Sequence, residues 1–478
     1  MGTRGLTAFL RRNWRSWLIR LADLVRRNRE LAVAVLLIAA YVILNRLGFT
    51  YHYLALIVIG ILFIMIFLRK PFYAFLGFVI ATQLFEYTLI NGIPIGRIYG
   101  ILIIIITVAY YAINRHQFQT RIKYIFDVNG KLLIIVLLCY TISTVVNPNP
   151  QPIFFQRHFM FFAFYIITRL YVSNRALLRN VLLLLVILQA INSLYGIYQF
   201  ISTSGHIRAS GIWEGDPNEF ACYSLAVMPI GLYLILHESK RLLKFVMIIG
   251  TCLLGISVVF SASRSGLLTM AFVGLLILVN KRVPFRVRLL SVVITVIILI
   301  LVASNIYWER IETIQDYFLD QEKESSIAIR EMIAKDAFTI FLENPLFGIG
   351  YHHFRLAPIE EAAGLIVRKG RLAHHSMYLA AMTQFGLFGL LPFLFLIGYT
   401  VRNGYRGAKI AHKNSDRKLM YLTSATTYAF LVIVIFGLML NTDTKFLYFY
   451  LALAASSWEL VYRKHGKSAP AAAGRQVS

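Results

Sequence analysis

Apolar runs close to membrane-spanning length recur along this chain, and they leave few folds open to it. Fourteen can be marked: 31–46, 51–68, 72–90, 98–113, 132–147, 153–170, 178–201, 219–237, 244–260, 265–280, 288–306, 376–401, 420–440 and 444–462. A helix needs about 20 apolar residues to cross a bilayer. Several runs are shorter, so the expected count is 12–14. Backbone groups in lipid must be satisfied within the segment or in a closed barrel, and continuous apolar runs select helices. The expected class is therefore all-α, a polytopic integral membrane protein. Composition agrees. The 478 residues are 58% hydrophobic and 15% charged, against roughly 25% charged in an average soluble domain, and mean hydropathy is +0.68. Disorder is excluded, because disordered chains are poor in apolar residues. The net charge of +26 does not make the chain a soluble nucleic-acid binder, since such a protein could not hide this apolar surface from water.

The charge instead orients the spans. Cytoplasmic loops are enriched in Lys and Arg. With the N-terminus inside and the spans alternating, the inside segments hold 34 of the 48 Lys and Arg and 6 of the 22 Asp and Glu. The inside then carries +28 and the outside −2. Both termini are expected in the cytoplasm.

Residues 1–30 contain eight arginines and no long apolar core, so they do not resemble a cleavable signal peptide. Leu10, Trp14, Trp17, Leu18, Leu21 and Val25 recur at helical spacing among them. They form an interfacial helix on an anionic leaflet or, on the simpler reading, a solvated basic arm. The tail 466–478 is low in complexity and expected to be disordered. Cys139, Cys222 and Cys252 all fall within spans and form no CxxC pair. No Walker loop, HExxH motif or dinucleotide fingerprint occurs.

The remaining interest lies on the outer side. Residues 307–375 form one long loop between spans 31–306 and 376–465, a usual place for function on a rigid scaffold. Within it Ile329, Met332, Ile333, Ala337, Ile340 and Phe341 mark one helical face, Asn344-Pro345 stops the helix, and Gly348-Ile-Gly350 makes a turn. Tyr351-His-His-Phe-Arg355 follows, and Arg368, Arg371, His374 and His375 close the loop. Three more outer arginines stand near membrane depth: Arg157 inside a span, Arg208 ahead of Asp216-Pro-Asn218, and Arg264 in Ser261-Ala-Ser-Arg-Ser-Gly266. Each either snorkels to headgroups or binds an anion, and arginine suits the oxygens of a phosphate or diphosphate. His375, at the outer mouth of a helix, is either a general base or a capping histidine. Asp216 and Asn218 carry the chemistry of Asx turns. The histidines match no standard zinc spacing, and no metal or other cofactor is expected.

Four segments, in order, give the chain a resemblance to the bacterial O-antigen ligase and O-antigen polymerase superfamily. Arg208-Ala-Ser-Gly-Ile-Trp-Glu-Gly-Asp-Pro-Asn-Glu-Phe-Ala221 is similar to its R-x-S-G…PN-x-F-A pattern, and Ser261-Ala-Ser-Arg-Ser-Gly266 to its S-x-S-R. Arg330 through Asn344-Pro-Leu-Phe-Gly-Ile-Gly350 is similar to R…NP-L-F-G-x-G, and His375-Ser-Met-Tyr-Leu…Gly386-Leu-Phe-Gly-Leu390 to H-N-x-Y-L…G-L-x-G-L. The residue after the family histidine, usually Asn, is Ser376 here.

The resemblance implies a C-type membrane glycosyltransferase of the bacterial inner membrane, with its active site facing the periplasm. Such an enzyme moves a glycan from undecaprenyl diphosphate to an acceptor sugar hydroxyl, on a lipid A core or another glycan, with inversion and without a metal. His375 would be the base. Arg264 and Arg208 would hold the diphosphate, with Arg157 in a lesser part. Arg355, Arg368, Arg371 and His374 would guide the acceptor beside Asp216 and Asn218. A polymerase using the same donor is the nearest alternative. A lipid-linked sugar flippase is a different class, and would place its charges at the midplane and show inverted repeats.

Overall fold

The computed structural model describes residues 70–84, 89–90, 93–147, 152–203, 207–212, 216–280, 285, 288–289, 293, 325–351, 375–440 and 445–465. The expected interfacial helix 1–30, the spans 31–46 and 51–68, nearly all of 288–306 and the tail 466–478 lie outside these residues. The chain divides into two compact units, residues 1–78 with 101–115, and residues 79–100 with 116–478. In the first, the described residues are apolar helical segments with Ile101, Ile105 and Val108 exposed. All the chemistry below lies in the second.

The described residues are helical, apart from a minimal hairpin of β1 (Leu89–Ile90) and β2 (Ile93–Pro94). In order, the helices are α1 (Pro71–Leu84), α2 (Ile95–Ile113), α3 (Arg115–Ile125), α4 (Val128–Val146), α5 (Pro152–Tyr171), α6 (Arg175–Ser202), α7 (Pro217–His237), α8 (Arg241–Phe260), α9 (Arg264–Val279), α10 (Ser325–Glu343), α11 (Met377–Lys413), α12 (Arg417–Phe436) and α13 (Lys445–His465). Six of them, α4, α6, α7, α8, α11 and α12, are long and apolar enough to cross a membrane. The chain is thus a polytopic helical membrane protein. Where the sequence reading has only an inside loop over 115–131, the structure folds the short polar helix α3.

The helices begin where residue chemistry says they should. Asp127, Asn174, Asp216, Ser263, Ser376 and Asp416 each accept a backbone N–H of the first turn of α4, α6, α7, α9, α11 and α12, satisfying donors that a helix start leaves unpaired. α7 has no polar face and is buried almost along its whole length between α12, α8 and α6. α11 packs on α4, α12 and α13.

The bundle has two distinct ends. At one, Asn218 of α7 meets the α8–α9 turn, and the start of α11 meets the end of α12, where Met377 N donates to Gly437 O at 2.9 Å. At the other lie the starts of α6 and α12 and the end of α7. This second end holds a buried ion cluster. Arg169 of α5, fully buried, donates to Asp127 at 2.8 Å and to the Tyr124 carbonyl, and stands 3.4 Å from Glu459 of α13. Arg121 of α3 donates to Glu459 at 2.8 Å and to the Arg169 carbonyl at 2.6 Å. Two of the arginines that orient the chain on the sequence reading are thus built into its core.

α11 is not continuous. Gly386 has φ 60° and ψ −161°, a backbone state open essentially to glycine alone. The break removes the helical bonds from 387 to 383 and from 388 to 384. The turn after α10 replaces them. Leu387 N and Phe388 N donate to Pro345 O (2.9 Å) and Leu346 O (3.0 Å), while Thr383 O and Gln384 O accept from Ile349 N (2.9 Å) and Gly350 N (3.0 Å). Gly348 faces Gly386 across this contact. A Cβ on Gly386 would lie 2.3 Å from Leu346 O, and one on Gly348 would lie 2.5 Å from Thr383 O. Asn147, just past α4, donates its side-chain amide to Gly348 O at 3.2 Å, and Ser143 Oγ donates to Phe385 O at 3.3 Å. Asn344-Pro-Leu-Phe-Gly-Ile-Gly350 is therefore more than a helix stop: it is a wedge that completes a broken membrane helix.

Candidate active site

The site grows from two turns that brace each other. Between α8 and α9, Ser261 ends one helix and Ser263 caps the next, its Oγ accepting Gly266 N at 3.1 Å. Ala262 between them has φ 46°, uncommon for a residue with a side chain. All three serines, 261, 263 and 265, are buried, and Arg264 emerges at the first position of α9, half-buried. The second turn, ahead of α7, docks on the first. Ala209 N donates to Phe260 O at 3.0 Å, and Arg208 Nε donates to Ser261 O at 2.8 Å. Phe200 and Phe260 stack at 4.6 Å between centroids, with Phe220 and Ala209 beside them. Asp216 Oδ1 accepts Asn218 N at 2.6 Å, an Asx turn that starts α7, and Asn218 Oδ1 accepts from Ser263 Oγ at 2.9 Å. So Asp216 and Asn218 set the geometry that presents both arginines.

His375 stands one residue before the cap of α11, half-buried and with φ 48°. Ser376 fixes it: its Oγ accepts Leu379 N (3.4 Å) and donates to Gly437 O (3.3 Å). Burial pushes the proton affinity of His375 below the usual histidine range. The Arg330 guanidinium pushes it further down, and Asp216 opposes both. Those two side chains come from α10 and from the turn before α7, so segments far apart in sequence converge electrostatically on one imidazole. Arg330 lies on α10 in line with the buried Ile333 and Ala337, which seat that helix on Leu379 of α11.

Arg157 takes a different position. Its Nη1 donates to the Tyr351 hydroxyl at 2.8 Å, and its guanidinium covers the Phe161 ring at 5.3 Å. Tyr351, buried against Phe154 and Phe385, is the residue directly after the wedge. Arg157 thus anchors the end of the wedge in α5. Arg355, Arg368, Arg371 and His374 lie outside the described residues. Among the described residues, no three His, Cys, Asp or Glu side chains gather as metal ligands.

Residues 249–394 match the family model of the O-antigen ligase, and no curated protein matches the chain. This segment is similar to the O-antigen ligase family. The O-antigen ligase match runs from α8 into α11 and takes in Arg264, Arg330, the wedge, His375 and the Gly386 break. Arg157, Arg208, Asp216 and Asn218 precede it. Broadly, the family implies a glycosyltransferase-type enzyme working on lipid-linked glycans in a membrane.

Two participants escape a reading of the sequence by residue type. Arg330 opens the third motif, yet nothing in its spacing assigns it to His375; the available signal is an arginine in register with the apolar positions 333 and 337 of its helix. Tyr351 looks like one more loop aromatic, and only the fold pairs it with Arg157.

Proposed function

We propose that the chain transfers a glycan from undecaprenyl diphosphate to a sugar hydroxyl of a lipid A core, at the end of the bundle that carries His375, facing the periplasm. The observation that carries this reading is His375 itself: an imidazole held in a left-handed backbone state, kept neutral by burial and by Arg330, at the start of α11. A neutral imidazole can accept a proton. His375 removes it from the acceptor hydroxyl as that oxygen bonds to the anomeric carbon. The bond from that carbon to the diphosphate oxygen breaks, the sugar inverts, and the diphosphate leaves with the electron pair. Arg264 and Arg208 stabilise the developing charge. The first turns of α7 and α9 add the positive ends of two helix dipoles.

Incubation of the purified protein with undecaprenyl-diphosphate glycan and candidate acceptors tests the reading. The expected product is glycan joined to lipid A core, and His375→Ala abolishes it without loss of membrane insertion. Glycan lengthened on its own carrier would make the enzyme a polymerase. Wild-type transfer by His375→Ala would remove the histidine from the mechanism.

A further inference from the structure

At the end of the bundle opposite His375, a cavity of about 290 Å³ opens among the starts of α6 and α12 and the link from α7 to α8. That is close to the roughly 300 Å³ at which small-molecule clefts begin. Four cations line it, Arg175, Arg179, Lys240 and Lys418, with one carboxylate, Glu238. Glu238 is taken up by Arg179, which binds both its oxygens, at 2.5 and 2.6 Å. Among the described residues no ion pair joins Lys240 or Lys418, and Arg175 stands 3.9 Å from Asp416. Lys240 holds the N-cap of α8, where it offers no side-chain acceptor to the first turn. The uncovered N–H groups and the lysines together favour an anion.

A bare anion would leave one group unmatched. His237 lines the same cavity with its side chain only 7% exposed, and its Nε2 has no hydrogen-bond partner. Its Nδ1 lies 3.1 Å from Glu238 Oε1. A carboxylate only accepts, so Nδ1 carries a proton; the ring's burial favours its neutral form, in which Nε2 presents a lone pair. A lone pair repels phosphate oxygens and requires a donor. We propose that this cavity binds a phosphate group bearing a neighbouring hydroxyl, the chemistry of a glycerol phosphate headgroup. The phosphate oxygens accept from Lys240, Lys418, Arg175 and the first turn of α8, and the hydroxyl donates to His237 Nε2.

Full-length protein in detergent, examined by native mass spectrometry and thermal melting, tests this site with two sources of the same chemistry. Phosphatidylglycerol is expected to stay bound where phosphatidylcholine is stripped, and to bind better than phosphatidylethanol, which has the same diester but no hydroxyl. Lys240→Ser/Lys418→Ser, at two exposed positions, should lower retention about tenfold. His237→Leu should erase the preference over phosphatidylethanol. In the second arm, glycerol 3-phosphate replaces the lipid. A melt raised by it, and not raised in the double variant, assigns a soluble ligand to the same site. The proposal is overturned if neither compound binds, if the double variant retains phosphatidylglycerol like the wild type, or if Lys413→Ser, outside the cavity, weakens retention equally.

Discussion

At the scale of single residues, the two groups that tune His375 act in opposite senses, which gives its role a signature. Arg330 disfavours the imidazolium and Asp216 favours it. Transfer by a neutral base falls as pH drops through its pKa, so the acid limb of the rate profile should lie below the usual histidine range. Arg330→Gln removes a positive neighbour, raises the pKa, and should move that limb to higher pH. Asp216→Asn, which keeps the cap, should move it to lower pH. Rate profiles of the three proteins check this, and shifts in the same direction would mean that another group titrates. Ser376 and Asn218 brace the turns that carry His375 and Arg264. His375, Arg208, Arg264, Asp216 and Asn218 are all legible in the sequence as polar groups at or near the ends of apolar runs. Arg330 is not, because its meaning depends on which helix α10 packs against, and residue order does not carry that.

At the scale of elements, helices α4 to α9, α12 and α13 can be read within a few residues, because each is one apolar run, whereas α11 runs on through polar residues to Lys413, twelve past the end of its apolar run at 401. The break in α11 cannot be read. Gly386 interrupts neither the length nor the hydropathy of its run, and the groups that repair it come from residues 345–350. Gly386→Ala must enter a backbone state that costs of order 1–3 kcal/mol and also collides with the Leu346 carbonyl. The expected result is a lower melting temperature and lost transfer, whereas Leu387→Ala, at a partly exposed neighbour, should change the melt little. α3 was hidden for a different reason: it is short and polar, and charge alternation counts its residues without seeing its shape.

At the scale of the whole molecule, positive charge has two functions that its total conceals. Some cations face outward from loops, while Arg121 and Arg169 are buried with Glu459, beside the partly buried Asp127. Breaking such a buried pair costs about 3–5 kcal/mol, because a charge is left uncompensated. Glu459→Gln should therefore lower the detergent melting temperature clearly, and Arg169→Met/Glu459→Met should recover part of the loss in the same assay. The wedge also bears on how the chain is made. Residues 345–350 leave the ribosome before Gly386, so the partner that completes α11 already exists when that helix enters the bilayer. Translation order supplies the repair ahead of the defect, and a chain in which the wedge was delayed or moved beyond α11 would have to insert a helix with four backbone groups open to lipid.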